Sequence, residues 1–215
     1  MRSDPPLFVF VNPISCARTS SKTFRAWRAM DKIDVFVRQT KSRSEEHRRA
    51  VTALANVNAY GQVVSILRQE LDSMVRVIYL LSIPLDRRLE LISDSTEGIK
   101  WRKEGSRAAI TDKEMVDLSQ KLSGWTQSVY KFGCAFIHLS SFHDYEYRDP
   151  IERLPDNERL DLISHCRYYH GGPTNDDPTF HDFIPYLPRV FDKIASNLEF
   201  YLDELIARKP PSLEL

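Results

Sequence analysis

The sequence predicts an all-α helical bundle with four principal helices, an irregular N-terminal arm and a long polar loop near the C-terminus. Seven glycines in 215 residues are few, whereas β-sandwiches and barrels need many tight turns. Apolar residues recur at steps of three and four in several stretches, which indicates helices that each bury one face. We therefore expect an arm and helix at 1–50, a bundle domain at 51–209 and a tail at 210–215.

The first 50 residues predict an extended arm followed by a charged helix. Leu7–Val11 (LFVFV) has the composition of a strand without an evident partner strand, so we expect an arm on the bundle or on a second subunit. A helix is predicted over about 22–38, and residues 41–49 (KSRSEEHRR) are expected to form a solvated helical face. Three arginines of that face are alternatively phosphate-binding: Arg43, Arg48 and Arg49.

The clearest helix is predicted over 60–83, where the apolar residues follow the spacing of one buried face. These residues are Val63, Leu67, Leu71, Met74, Ile78 and Leu81. Pro84 ends the helix because proline lacks the amide hydrogen that the next turn requires. A short helix at 86–93 and a polar, turn-rich segment at 95–107 follow, with Trp101 expected to contact the core.

Two helices with different ends are predicted in the middle of the chain. Thr111 and Glu114 have the spacing of a capping box, in which each side chain accepts a hydrogen bond from the other residue's amide. The helix that they begin, 112–123, ends at Gly124, a residue suited to a C-terminal stop. The next helix, 126–143, is apolar on nearly all sides, which predicts a central position in the bundle.

The remaining chain predicts one short and one long helix. The short helix covers 157–169, and a polar loop rich in aspartate follows at 174–178. The last helix covers 187–207, with apolar residues at helical spacing along one face. Within the helix at 126–143, Gly133 and Ala135 are small enough to let another helix approach closely.

Composition excludes several classes of protein. The net charge is zero, from 30 basic and 30 acidic residues, so a nucleic-acid site has to be a local basic patch. The three cysteines Cys16, Cys134 and Cys166 are widely spaced, which favours reduced thiols in the cytoplasm over a disulfide framework. No apolar run reaches about 18 residues, so we expect a soluble cytoplasmic protein without a membrane partner.

The histidines are concentrated in one part of the chain. Five of the six lie between residues 138 and 181: His138, His143, His165, His170 and His181. His138 and His143 are five residues apart, or about 140° around a helix, which does not suit a helical metal site. We therefore expect no metal and no cofactor. The alternative is a metal-dependent phosphohydrolase, because His143-Asp144 resembles the paired ligands of HD-type enzymes.

Lys131 and His138 in KFGCAFIH have six residues between them. This pair resembles the motif of the HEPN superfamily of helical proteins, whose nucleases carry an arginine and a histidine separated by four to six residues near the end of one helix; here lysine replaces the arginine. Arg68–Leu81 (RQELDSMVRVIYLL) is similar to the second helix of HEPN-like bacterial proteins. The resemblance covers about 55–207 and implies a bundle that dimerises across the face bearing this motif.

The resemblance also implies a function and a set of site residues. HEPN-like proteins bind RNA or cleave it without metal in toxin–antitoxin, antiviral-defence and stress systems. His138 would be the general acid or base and Lys131 would bind the phosphate, because histidine and a cation can together support RNA cleavage at neutral pH. Further candidates line the same helix end or come from the C-terminal loop: catalytic His143 and Asp144, and substrate-binding Arg148, Arg167 and His170.

Three interpretations stay open from the sequence. One is a metal-independent ribonuclease or RNA-binding protein, and another is a non-catalytic protein-interaction module with an antitoxin or other protein partner. The third is the metal-dependent phosphohydrolase. A homodimer is expected in the first two cases because the resemblance implies a cleft shared by two copies.

Overall fold

The computed structural model of the chain describes the backbone of residues 21–207 and the side chains of residues 32–207. This part of the chain is helical and contains no β-strand, so the all-α prediction is confirmed. The helices are α1 (Ser21–Asn56), α2 (Tyr60–Ser82), α3 (Leu85–Thr96), α4 (Asp112–Ser123), α5 (Thr126–Ile137), α6 (Asp156–His170), α7 (Phe180–Phe183) and α8 (Leu187–Ala207). Single 3₁₀ turns occupy Ser141–Asp144 and Ile184–Tyr186.

Helix α2 is the central helix of the bundle. It packs against α1, α4, α5 and α8, and its apolar residues are buried on several sides. The prediction that α5 is central is wrong, because α5 buries only one face and exposes Lys131 and Ile137. A helix surrounded by others must bury its polar residues too, and α2 buries Arg68 and Glu70.

Helix α5 ends six residues earlier than the 143 predicted from its apolar pattern. His138 has extended backbone angles, φ −102° and ψ 149°, and Leu139 is 96% exposed. The last carbonyls of the helix accept side-chain hydrogen bonds instead of amides from another turn: Ser140 Oγ donates to Ala135 O at 2.6 Å, and Ser65 Oγ donates to Phe136 O at 2.8 Å. Two serines therefore end the helix where apolar residues continue.

Helix α1 is longer than predicted and belongs to the bundle. It runs without a break across the domain boundary predicted between residues 50 and 51, and it packs on α2, α3 and α8. Arg48 and Arg49 are exposed, as expected for a solvated face, whereas Ser44 and His47 bind a residue of α2. The predicted arm at Leu7–Val11 and the tail at 210–215 lie outside the described residues.

Capping residues determine both ends of α4, and a buried tryptophan anchors the connection before it. Thr111 and Glu114 form the predicted capping box, and Gly124 ends the helix with φ 72°, in the left-handed region. In the connection 97–111, Trp101 is buried, and its Nε1 donates to Leu91 O at 2.8 Å. This indole bond fixes the connection against α3, as the sequence predicted for Trp101.

The crossing of α2 and α5 is unusually close. A Cβ atom placed on Gly133 would lie 2.6 Å from Cβ of Arg68, a distance that real Cβ atoms essentially never show. The prediction that Gly133 permits the approach of another helix is therefore confirmed, and the partner is α2. None of the helices within residues 21–207 combines the length and the apolar character that a membrane span requires.

Candidate functional site

The two residues at the centre of the HEPN-like motif are both exposed. Lys131 Nζ forms an ion pair with Glu158 Oε1 of α6 at 3.0 Å. His138 follows the last residue of α5 and forms no hydrogen bond with the described residues. The predicted helix 126–143 would place Lys131 and His138, which are seven positions apart, on one helix face, but α5 ends at Ile137.

His143, Asp144 and Arg148 lie in and after the 3₁₀ turn that follows α5. His143 Nδ1 accepts a hydrogen bond from Ser140 N at 3.3 Å, and its ring lies 5.9 Å from that of Phe136. Asp144 Oδ2 pairs with Arg148 Nε at 3.3 Å. His143 thus caps a turn, and the Asp144–Arg148 pair lies on the surface of the same turn.

The two C-terminal candidates lie at the end of α6. Arg167 donates from Nε to Pro173 O at 2.8 Å and from Nη2 to Asn175 O at 2.6 Å, so it holds the polar loop after α6. His170 is partly buried, and burial together with the nearby charges of Lys193 and Arg189 lowers the pKa of its imidazole. Arg167 thus binds the loop after α6, and His170 lies near the cations Arg189 and Lys193 of α8.

The histidine and aspartate residues do not assemble into a metal-ligating group. Within the described side chains, 32–207, no group of three or more histidines, cysteines, aspartates and glutamates is arranged to hold a metal ion. His143 and Asp144, the pair that resembles HD-type ligands, are engaged with Ser140 and Arg148. The donor set for the phosphohydrolase alternative is therefore not brought together in this part of the chain.

A cleft lined by several charged residues lies between α1, α2 and the connection 97–111. Its volume is about 760 Å³, which is in the range of small-molecule sites. Four charged side chains line this α1–α2 cleft: Arg43, Arg76, Lys100 and Asp112. Three are cations and one is an anion, so the lining carries a net positive charge on a chain whose total charge is zero.

Two aspartates hold the arginines beside this cleft in a chain of ion pairs. Asp112 accepts from Arg76 Nη2 at 3.0 Å and from Arg68 Nη2 at 3.1 Å. Asp72 accepts from Arg76 Nε at 3.0 Å, and Arg43 Nη1 lies 3.9 Å from it. Because Arg76 is held from two sides, its guanidinium has a fixed position at the cleft wall.

Arg68 extends the network beneath the surface toward α5. It is 5% exposed, and its guanidinium lies 4.3 Å from the ring centroid of Tyr130. Burial lowers the pKa of Arg68, but the neighbouring Cys134 side chain and the charges of Asp72 and Asp112 outweigh it and raise the pKa. Arg68 Nε and Asp72 Oδ1 are buried without a hydrogen-bond partner among the described residues, which leaves unused hydrogen-bonding capacity in the network.

A second buried charged residue of α2, Glu70, faces α1 and lies about one turn before Ser73, which lines the cleft. Glu70 has no exposed surface, and its carboxylate binds two residues of α1. Ser44 Oγ donates to Oε1 at 2.5 Å, and His47 Nδ1 lies 2.6 Å from Oε2. Arg43, which lines the cleft, is one residue from Ser44, so this cluster fixes the part of α1 that carries Arg43.

The sequence did not predict this cleft, although Arg43 was one of the three arginines interpreted as alternatively phosphate-binding. The available signal was the presence of Arg68, Glu70, Asp72 and Arg76 within a helix whose apolar pattern predicts burial. Comparisons of the chain with protein-family models, curated proteins and solved structures gave no match. The function is therefore inferred from the geometry of the chain's own residues.

Proposed function

We propose that the chain is a cytoplasmic, HEPN-like helical protein that binds RNA, and that the α1–α2 cleft receives the phosphate backbone. The observation that carries this proposal is the convergence of Arg43, Arg76 and Lys100 on one cleft. Phosphate contacts by lysine and arginine supply most of the affinity of proteins for nucleic acid. A local group of cations is the form that such a site must take on a chain of zero net charge.

The connection 97–111 adds further positive charge beside the cleft. Lys103 N donates to Ala108 O at 2.8 Å, and Ile110 N donates to Trp101 O at 3.1 Å, so the connection folds back on itself as a short hairpin. Arg102 and Arg107 are exposed on this hairpin. A phosphate chain that enters the cleft beside Lys100 would therefore pass close to additional cations of the same segment.

The close α2–α5 crossing supports the HEPN-like part of the proposal. The motif in α5 and the similar stretch in α2 belong to helices in direct contact, because Gly133 touches Arg68. The resemblance in sequence thus concerns two packed helices. The bundle itself has seven helices of 12 or more residues within the described part, so a four-helix core would be a subset of it.

Charge reversal at Lys100 tests the binding site. Lys100 is exposed and has no ion pair among the described residues, so Lys100→Glu should leave folding unchanged. We expect affinity for a fluorescein-labelled single-stranded RNA, measured by anisotropy, to fall about tenfold, or ~1.4 kcal/mol. The slope of log affinity against log salt should become shallower by about 0.7, the value for one phosphate contact on a single strand.

Two further variants identify where RNA binds. Arg153→Glu changes an exposed arginine that does not line the cleft, and it should reduce affinity much less than Lys100→Glu. Lys131→Glu changes the cation of the HEPN-like motif. Equal losses in Lys100→Glu and Arg153→Glu, or a loss only in Lys131→Glu, would contradict binding in the cleft.

A further inference from the structure

Two adjacent tyrosines at the end of α6 form an aromatic surface outside the cleft. Tyr168 is 81% exposed, so at least one face of its ring is open to solvent. The Tyr169 ring stands at 88° to it, with centroids 4.7 Å apart. The Tyr169 hydroxyl donates to Ser123 O at 3.4 Å, which anchors this second ring to the end of α4. An open ring beside an anchored one offers a planar ligand a surface on which to stack.

A lysine of α8 lies against the anchored ring. Lys193 Nζ is 4.0 Å from the ring centroid of Tyr169, so the ammonium and the open Tyr168 ring are close enough for one ligand to contact both. Lys193 forms no ion pair with the described side chains, and the acid next to it in sequence, Asp192, pairs with Arg48 instead. The charge of Lys193 is therefore available to an anionic ligand.

Arg189 adds a second positive charge about one turn before Lys193. Its Nη1 donates to His170 O at 3.3 Å, which holds the guanidinium beside the end of α6. Burial and the charges of Lys193 and Arg189 lower the pKa of the His170 imidazole. The recess between α6 and α8, lined by Tyr169, His170 and Lys193, has no carboxylate among its described lining residues. This part of the surface is therefore positively charged and lacks an anion of its own.

We propose that Tyr168, Tyr169 and Lys193, the tyrosine–lysine surface, bind a single-stranded stretch of RNA, with a base stacked on Tyr168 and a neighbouring phosphate on Lys193. The open ring calls for a planar group and the cations for an anion, and single-stranded nucleic acid supplies both at each nucleotide. None of the three residues lines the α1–α2 cleft. The inference rests on the proposed RNA binding and adds a base contact to the phosphate contacts of the cleft.

Anisotropy of a fluorescein-labelled single-stranded RNA tests the stacking contact. Tyr168→Ala should weaken binding about tenfold, because the stack of one base on an aromatic ring is lost. Tyr168→Trp keeps a planar ring and should bind within about twofold of wild type. Tyr147→Ala is the matched control, since Tyr147 is 87% exposed and belongs to neither the cleft nor the tyrosine–lysine surface. Equal losses in Tyr168→Ala and Tyr147→Ala would overturn the proposal.

A labelled RNA of the same length, with abasic sites in place of the bases, separates stacking from charge. Wild type should bind it about tenfold more weakly than the RNA with bases, whereas Tyr168→Ala should bind both with similar affinity. Lys193→Gln should make the slope of log affinity against log salt shallower by about 0.7, and Tyr168→Ala should leave that slope unchanged. A Tyr168→Ala chain that still distinguishes the two RNAs as wild type does overturns the stacking contact.

Lys100→Glu distinguishes a failure of this inference from a failure of the proposed cleft. If the cleft alone binds RNA, Lys100→Glu weakens binding and Tyr168→Ala does not, which overturns the tyrosine–lysine surface and leaves the cleft. The reverse pattern supports the tyrosine–lysine surface and contradicts binding in the cleft. A wild-type chain without affinity for single-stranded RNA overturns both.

Discussion

The charged residues of α2 and those at the end of α5 lie in opposite environments. Glu70 and Arg68 of α2 are buried, and each binds residues of a neighbouring helix. Lys131 and His138 are exposed. Lys131 forms one surface ion pair, with Glu158. A buried charge without a partner is costly. The charged residues of α2 must therefore lie where neighbouring helices supply partners, whereas the exposed residues at the end of α5 have no such requirement.

The largest effect is expected from removing the carboxylate of Glu70. Glu70→Ala leaves Ser44 and His47 without their acceptor in a closed site and creates a cavity between α1 and α2. Losing the acceptor of two part-buried hydrogen bonds together with the volume of the side chain costs about 3 kcal/mol in the free energy of unfolding. Urea denaturation followed by circular dichroism measures this loss.

Glu158→Ala is the matched control on the α5 side. Glu158 pairs with the exposed Lys131, and a surface ion pair of this kind contributes about 0–1 kcal/mol. Glu70→Gln keeps the shape of the side chain and removes only its charge, so its stability should lie between those of wild type and Glu70→Ala. Equal destabilisation by Glu70→Ala and Glu158→Ala would contradict the contrast between the two regions.

A smaller effect is expected at Gly133, where the two regions touch. The added methyl group of Gly133→Ala would meet Cβ of Arg68 at 2.6 Å, so α2 and α5 would have to move apart. Overpacking of this kind costs about 1–3 kcal/mol, against a gain of about 0.5–1 kcal/mol from the better helix propensity of alanine. We expect a net loss of about 1–2 kcal/mol in urea denaturation.

Gly61→Ala provides the comparison for this prediction. Its methyl group would lie 3.2 Å from Cε1 of Tyr145 and 3.3 Å from Cδ1 of Phe136, both of which are ring atoms that can shift. Gly61→Ala should therefore destabilise the protein less than Gly133→Ala. The reverse order would mean that the approach of α2 to α5 is not limited by Gly133.

Elements with local signals could be predicted from the sequence, and elements that end through tertiary contacts could not. The bounds of α4 and α8 agree with the predicted 112–123 and 187–207, because the capping box at Thr111 and the apolar spacing of α8 are encoded within each segment. One of the two serines at the end of α5 is Ser65, which lies 71 residues before the carbonyl that it binds. No local pattern contains that contact.

The candidate site could not be predicted from local sequence patterns either, because it is formed by distant residues. The apolar spacing of 60–83 predicted one buried face of this helix, whereas the partners of Arg68 and Glu70 come from distant parts of the chain. His47 is 23 residues from Glu70, and Asp112 is 44 residues from Arg68. The cleft forms only when α1 and the connection 97–111 come together on α2, so Arg43 and Lys100 could not be assigned to one site from the sequence.

The smallest effect on stability is expected from His138→Ala, which separates folding from chemistry at the end of α5. His138 is exposed and forms no hydrogen bond with the described residues, so its removal should change the free energy of unfolding by less than about 0.5 kcal/mol. RNA affinity should also be unchanged, because His138 does not line the cleft. If the HEPN-like assignment of His138 as general acid or base is right, any cleavage of a labelled RNA in the presence of EDTA should be lost in this variant. Full cleavage by His138→Ala would remove His138 from the mechanism, whereas loss of cleavage with unchanged affinity would mean that His138 acts on the RNA and that other residues bind it.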